Sequence, residues 1–389
     1  VSITTPAGFV AAGAASGIKP SGDLDLALLA TDDGRAVPTA ATFTANLAAA
    51  APVEVSRDHL AATGGRAVAV VVNSGNANAA TGVTGRFDAE RMCELTARHL
   101  GSRREEVLVC STGLIGIPLP MDIVEAGIPE LVAARRADEA SAADAARGIL
   151  TTDVGPKEVL VQTGDYSVAG MAKGAGMLAP NMATMLAFLT TDAGVGPDAL
   201  AEVLRIAVRD SFNVMTVDGC TSTNDTVVLM ASGRAGPSDP NLLTDLVTEA
   251  CSDLAAQMAA TAEGVSKVVR VRVTGAWSDG EAERAARRVA ESLLVKCSLN
   301  GADPYWGRVV SELGSAGVGF DLGRVSVAYG GVTVCERGVA AAHDTSAVAR
   351  HLSGDRVEIH CQLGLGDGDA TVTGVDLGPG YIDENRTTS

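Results

Sequence analysis

The chain has 389 residues, 47% of them hydrophobic and only 3% aromatic, with 44 glycines and a formal net charge of −17. This length suggests two or three structural units whose cores are filled by Ala, Val, Leu and Gly rather than by rings. The acidity repels phosphate backbones and offers nothing to anionic lipids, so nucleic acid and membrane surfaces are not expected partners. Apolar runs such as Ala67–Val72 are far too short to span a bilayer. No charged, apolar, small-residue leader opens the sequence as given, so the expected compartment is the cytoplasm.

In chain order, Ala67–Val72 reads as a buried strand ending in a polar loop, Asn73–Asn78. Apolar spacing predicts a helix over Phe87–Leu100. Glu106–Cys110 reads as a short strand followed by the turn Ser111-Thr112-Gly113, and a helix is expected to open near Pro120. Lys157–Gln162 and Tyr166–Ala172 form a predicted hairpin around Thr163-Gly-Asp165. Helices follow at Pro197–Val208 and Leu242–Ala262. Lys267–Thr274 alternates polar and apolar as a half-exposed strand does, and Ala282, Ala285, Ala286, Val289 and Leu293 line one helix face. Short strands around Val325–Ala328, Val332–Cys335, Val357–Gln362 and Ala370–Val375 complete the pattern. The order lacks a regular βαβ rhythm. It predicts an α+β fold of layered sheets with outer helices and a smaller C-terminal α/β domain around 270–389.

Seven cysteines stand singly with no CxxC pair, and the five histidines show no metal spacing. Neither a disulfide framework nor a metal site is expected; most cysteines should be buried, reduced and small, and His351 and His360 structural. Gly364-Leu-Gly-Asp-Gly368 lies between strands with no helix after it, which argues against a dinucleotide loop.

The most informative stretch is Lys173-Gly-Ala-Gly-Met-Leu-Ala-Pro-Asn-Met-Ala183-Thr184, followed by an apolar run. Read from the residues alone, it is either an ordinary strand entering the core after a Gly-Pro loop or a threonine placed to attack the carbonyl before it. In the second case the peptide becomes an ester and water splits it. Thr184 then gains an α-amine with a reference pKa of about 7.7–8.0, able to act as base for its own hydroxyl. Such a nucleophile needs oxyanion donors. Cys110-Ser-Thr112-Gly113-Leu-Ile-Gly116 has the right character for them, although a plain strand-to-loop turn reads the same way.

Both stretches resemble the ornithine acetyltransferase (glutamate N-acetyltransferase) family of arginine biosynthesis. So do Thr4–Phe9, Asn73–Asn78, Thr151-Thr-Asp153, Ser222-Thr-Asn-Asp225, Ala262–Lys267 and Asp303-Pro-Tyr-Trp-Gly-Arg308, in family order along nearly the whole chain. Two departures are visible. Tyr305 stands where the family usually has Asn, and the tail after Asn385 is one residue short and lacks the usual late tyrosine.

The resemblance implies an Ntn-hydrolase-like sandwich and self-cleavage between Ala183 and Thr184. An α chain (1–183) and a β chain (184–389) would stay associated as an α2β2 heterotetramer. It implies Thr184 as nucleophile, Thr112 and Gly113 as oxyanion stabilisers, and Thr151, Lys173, Thr184, Glu263, Asn385 and Ser389 as substrate-binding residues. Acetyl would pass from N-acetylornithine to glutamate through an acetyl-Thr184 ester, releasing ornithine and N-acetylglutamate. No cofactor or metal is implied, and acetyl-CoA stays open as a second donor. The alternatives are a self-cleaving Thr or Ser aminopeptidase or amidase, and a paralogue serving a secondary pathway.

Overall fold

Three strands near the N-terminus set the architecture, because their side chains sort by parity. Leu26, Leu28, Ala30, Ala69, Val71, Val107 and Val109 enter one core, and Ala27, Leu29, Val70, Val72, Leu108 and Cys110 enter another. A strand that is apolar on both faces must be covered on both, and this sheet is. The structure is a computed structural model describing residues 2–164, 166–177 and 185–386. It divides into two compact units, Val1–Asn213 with Cys220–Met258, and Val214–Gly219 with Ala259–Thr388.

The first unit runs β1 (Phe9–Ala14), β2 (Leu26–Thr31), β3 (Val37–Phe43), α1 (Ala51–Ala62), β4 (Arg66–Ala67), β5 (Ala69–Asn76), α2 (Gly82–Leu100), β6 (Val107–Leu114), α3 (Met121–Ala134), α4 (Glu139–Gly148), β7 (Lys157–Gln162), β8 (Ser167–Lys173), β9 (Leu186–Gly194), α5 (Pro197–Asp210), β10 (Thr226–Pro237) and α6 (Pro240–Ala260). One sheet has the order β1-β2-β5-β6, the other β4-β3-β10-β9-β8-β7. Between them Phe9, Leu29, Val72 and Leu108 share one core with Met171, Leu186, Phe188, Val228 and Met230 and with Ala142, Ala145 and Ala146 of α4. On the outer face of the first sheet lie Met92, Cys93 and Leu95 of α2 and Val124, Ile128 and Leu131 of α3. Helix α5 packs on β3, and the Gln257 amide of α6 bonds both the backbone oxygen (2.9 Å) and the N–H (3.3 Å) of Glu158 on β7. The layering is therefore helix, sheet, sheet, helix.

The second unit continues β11 (Val268–Ala276), α7 (Asp279–Glu291), α8 (Leu293–Asn300), α9 (Trp306–Gly314), β12 (Ser326–Tyr329), β13 (Val332–Glu336), β14 (Val339–Ala340), α10 (Thr345–Leu352), β15 (Arg356–Gln362), β16 (Gly368–Val375) and α11 (Pro379–Glu384). Its sheet has the order β14-β13-β12-β15-β11-β16. Val269, Val271 and Val273 face a core shared with Ala282, Ala285, Ala286 and Val289, while Arg270 and Arg272 are exposed. This is the smaller α/β unit the sequence predicts. It begins at Ala259 rather than near 270, and it takes in the short piece Val214–Gly219.

Two expectations are corrected. Asn73–Asn76 is not loop but the end of β5, and Ser111-Thr112-Gly113 is not a turn but lies within β6. Parallel pairing of the two strands continues through Asn73↔Ser111 and Ser74↔Thr112 before an irregularity at Gly75/Asn76. The polar side chains are affordable because each is bonded inside the protein. The Ser111 hydroxyl donates to Asn73 Oδ1 (2.6 Å), Asn73 Nδ2 to the Asn76 carbonyl (2.8 Å), and the Ser74 hydroxyl to the Gly148 carbonyl (2.7 Å).

Candidate active site

The parity that sorts the core also places the site. Leu108 and Cys110 point into the space between the sheets, so Thr112, two residues on, points the same way. Met171 of β8 points there from the opposite sheet, and Lys173 follows it at the same spacing. The two meet: Lys173 Nζ donates to Thr112 Oγ1 at 3.3 Å, and both side chains are buried. A hydroxyl that accepts from an ammonium keeps its own O–H to donate elsewhere. The contact therefore turns Thr112 into a polarised donor.

A buried ammonium requires a counter-charge. It is Asp153, whose carboxylate is fully shielded and lies 3.8 Å from Lys173 Nζ and 2.5 Å from Lys157 Nζ. The carboxylate also accepts from the Gly174 N–H (2.7 Å) and the Thr151 N–H (3.4 Å). Burial by itself would raise the Asp153 carboxyl, but the Lys173 and Lys157 charges and the Lys157 and Gly174 bonds hold it below the usual carboxylate range. Half-buried Lys19 is lowered as well, chiefly by burial, with the Lys173 charge adding to the effect against Asp25 and Asp23.

Gly113 adopts φ +134°, and a Cβ there would lie 2.3 Å from Gly75 C and 2.5 Å from Asn76 N. Only glycine lets β6 pass β5 this closely. The peptide before it is clamped too: Asn224 Nδ2 donates to the Ser111 carbonyl (2.9 Å) and the Ala77 carbonyl (2.7 Å). Because the peptide is planar, fixing the Ser111 oxygen also fixes the direction of the Thr112 N–H.

The sequence-predicted residues thus fall into groups. Thr112, Gly113, Lys173 and the Thr151 backbone come together in the first unit. Glu263 and Asn385 come together in the second, Asn385 Nδ2 donating to Glu263 Oε2 at 2.9 Å. That pairing depends on Gly264, at φ +62°, where a Cβ would strike the Tyr381 backbone N of α11 at 1.9 Å. Ala183, Thr184 and Ser389 lie outside the described residues. Tyr305 is exposed, with the Arg308 guanidinium 5.9 Å from its ring centroid. Asp153, Lys157 and Asn224 were not singled out from sequence. Asp153 and Asn224 stand inside quoted motifs, but nothing local tells a buried counter-ion or clamp from a surface polar residue.

His351 Nε2 accepts from the Glu358 N–H (2.9 Å) and His360 Nε2 bonds Thr274 Oγ1 (2.8 Å), as structural histidines do. Cys93, Cys110, Cys251, Cys335 and Cys361 are buried, Cys220 and Cys297 exposed, and all are free thiols. Among the described residues, no cluster of His, Cys, Asp or Glu could hold a metal ion, and no helix is long and apolar enough to cross a membrane.

A strand-end hydroxyl that accepts from a buried ammonium, beside a glycine that admits close backbone approach, has the donors that polarising a carbonyl oxygen needs, as acyl transfer does. Residues 10–387 match the model of the ArgJ family. The chain belongs to that family. It is 47% identical to the arginine biosynthesis bifunctional protein ArgJ of Mycolicibacterium paratuberculosis, over 100% of this chain and 96% of the relative. It is 44% identical to the protein of the same name from Thermobifida fusca, over 100% of both. Among solved structures it is similar to ornithine acetyltransferase complexed with ornithine from Mycobacterium tuberculosis, at 45% identity and TM-score 0.44, covering 46% of this chain and 94% of that one.

Proposed function

We propose that this chain moves an acetyl group from N-acetylornithine to glutamate in arginine biosynthesis, through an ester on Thr184 made available by cleavage after Ala183. The observation that carries the reading is the Lys173–Thr112 contact between the sheets, in a chain that matches the ArgJ family almost from end to end. The freed α-amine of Thr184, with a reference pKa of about 7.7–8.0, takes the proton of its own hydroxyl. The hydroxyl oxygen attacks the acetyl carbonyl. Thr112, polarised by Lys173, and the peptide at Gly113 stabilise the oxyanion. Ornithine leaves with the proton, and glutamate then attacks the ester, so the kinetics are ping-pong.

Charge complementarity supports the substrate class. Lys173 offers an ammonium to a carboxylate. In the second unit, Glu263 and Asn385 supply acceptors for an amino group. The proposed enzyme is the pair 1–183 and 184–389, assembled as α2β2, acting without cofactor or metal.

Intact-mass measurement tests this directly. Purified protein should appear as two chains split before Thr184, and N-acetylornithine without glutamate should add one acetyl group to the second. Acetyl-CoA in place of N-acetylornithine asks the same of the second donor. An uncut, active protein would overturn the reading.

A further inference from the structure

The segment Ser222-Thr-Asn-Asp225 is only half used by the site described above: Asn224 clamps the Ser111 peptide, and Asp225 has no part in it. Asp225 stands immediately before β10, and Met185 immediately before β9. The two strands are parallel neighbours in the register Thr226↔Leu186, which sets Asp225 opposite Met185. Asp225 Oδ1 accepts the Met185 N–H at 2.8 Å. The residue is fully buried, and Oδ2 has no hydrogen-bond partner among the described residues. An idle, buried carboxylate oxygen costs stability and calls for an explanation.

The segment is rigidly held. The Thr44 N–H donates to the Asp225 carbonyl (2.9 Å), the Thr44 hydroxyl to the Ser222 carbonyl (2.7 Å), and the Thr226 N–H to the Met185 carbonyl (3.2 Å). Burial pushes the carboxyl well above the ordinary range; the Met185 N–H, the Lys173 ammonium and the Ser222 hydroxyl oppose this only in part. Lys173, from β8, is the charged group acting on it; Met185 just before β9, Thr44 just after β3 and Ser222 bring no charge.

Met185 N is bonded to the carbonyl carbon of Thr184. Successive backbone nitrogens are about 3–4 Å apart in any conformation. The carboxyl is thus anchored one residue from the bond that the proposed self-cleavage breaks.

We propose that Asp225 is the proton relay of self-cleavage at Ala183–Thr184, an inference that rests on the Thr184 reading above. In that step Thr184 Oγ bonds to the Ala183 carbonyl carbon, the bond from that carbon to Thr184 N breaks, and the hydroxyl proton must end on the departing nitrogen. The ionised carboxyl takes the proton from Oγ, and the neutral carboxyl delivers it to nitrogen. Asp225 is regenerated, and water then splits the ester. Oδ1 keeps the chain in place through Met185 while Oδ2 does the exchange.

The test follows cleavage of freshly made precursor on denaturing gels across pH. Wild type should cleave faster as pH rises through the Asp225 titration. Asp225→Asn keeps an acceptor for Met185 N–H, and it should cleave about 10²-fold more slowly or worse, with that pH dependence gone. Asp225→Glu should regain part of the rate together with the pH dependence, which a purely structural role would not predict. Asp225→Asn cleaving at the wild-type rate overturns the relay, as does slow cleavage with an unaltered pH profile. Should Asp225→Asn not fold, a folded Asp225→Glu that cleaves without any pH dependence overturns it equally. Carbon-13 aspartate NMR of uncut Thr184→Ala supplies a check without altering Asp225: one carboxyl should titrate in step with wild-type cleavage, and none doing so overturns the relay. Wild type that is never cut at 183–184 would instead sink the Thr184 reading itself.

Discussion

Both units of this protein bury lysines, and Lys267 and Lys173, one from each, keep opposite kinds of partner. In the second unit Lys267 spends its donors on helix ends: Nζ bonds the carbonyls of Leu299 (2.7 Å) and Leu352 (2.6 Å), in the last turns of α8 and α10. Its own N–H is held by Asp376, which also accepts from the Ser266 N–H and from Asn300. A cation at a helix C-terminus satisfies orphan carbonyls and complements the dipole, so this lysine holds helices together. Lys173 instead faces a hydroxyl and a carboxylate at the end of a strand, with Lys157 sharing the same carboxylate. Burial alone therefore does not tell these two lysines apart; the chemistry of their partners does.

Removing the nucleophile breaks the comparison most completely. Thr184→Ala should run as a single uncut band on a denaturing gel and show no acetyl transfer, whereas wild type should give a fragment whose N-terminal sequence is Thr-Met-Leu-Ala-Phe. Next in size, Thr112→Ala should lower kcat by about 10²–10³ with a smaller change in KM. Steady-state kinetics on preparations with matched fragment ratios check this, since the same donor can serve self-cleavage.

The lysines themselves are then set side by side. Lys173→Met removes one partner of a buried ion pair, a loss of about 3–5 kcal/mol when no other partner remains; Lys157 stays on Asp153, so a smaller loss is expected. The diagnostic changes are a lowered kcat, because Thr112 loses the ammonium that polarises it, and a raised substrate KM. Lys267→Met takes a donor from two buried carbonyls; the Leu299 carbonyl keeps the Ala302 N–H (3.0 Å), so the loss falls mainly on the Leu352 carbonyl, at about 1–3 kcal/mol. It should lower Tm while kcat and KM of the folded enzyme stay put. A raised KM in Lys267→Met would erase the distinction.

Acid sharpens it further. Asp153 and Asp376 are both held below the usual carboxylate range, against the effect of burial, by charges and bonds in the first case and by bonds from Ser266, Asn300 and Lys267 in the second. A depressed folded pKa gives stability that is complete above the unfolded value of about 3.9 and is lost as pH falls through the folded value. Melting curves from pH 6 downward should show Asp376→Asn destabilised at neutral pH but converging on wild type in acid. The smallest effect is expected at the exposed pair Arg272–Asp369. Arg272→Ala should leave both the melting temperature and the activity close to those of wild type, because an exposed ion pair is screened by solvent.

Much of the fold was readable before any coordinates. β-Branched runs gave β5, β7, β11 and β15, alternation gave the half-exposed face of β11, and alanine spacing gave α7. Elements rich in small residues were missed: β1 (Phe-Val-Ala-Ala-Gly-Ala) and α4 (Glu-Ala-Ser-Ala-Ala-Asp-Ala-Ala-Arg-Gly) carry little strand or amphipathic signal. Asn73–Asn76 and Ser111–Gly113 read as loops because polar residues and glycine normally end strands. Here buried hydrogen bonds between neighbouring strands override that tendency.

The sequence by itself determined the chemistry on offer: a threonine after a glycine-rich stretch, a Ser-Thr-Gly motif, a lysine at a strand end, and the ordered motifs that mark the ArgJ family. These are local facts, written in residue types and spacings of a few positions. Only the tertiary structure decided which of them meet. Thr112 and Lys173 are 61 residues apart; they touch because period-two strands in two facing sheets aim both side chains into the same narrow space. Asp153 is a counter-ion and Asn224 a clamp for the same reason. A buried polar side chain takes its role from the partner that long-range packing brings to it, and no local pattern of residues encodes that partner.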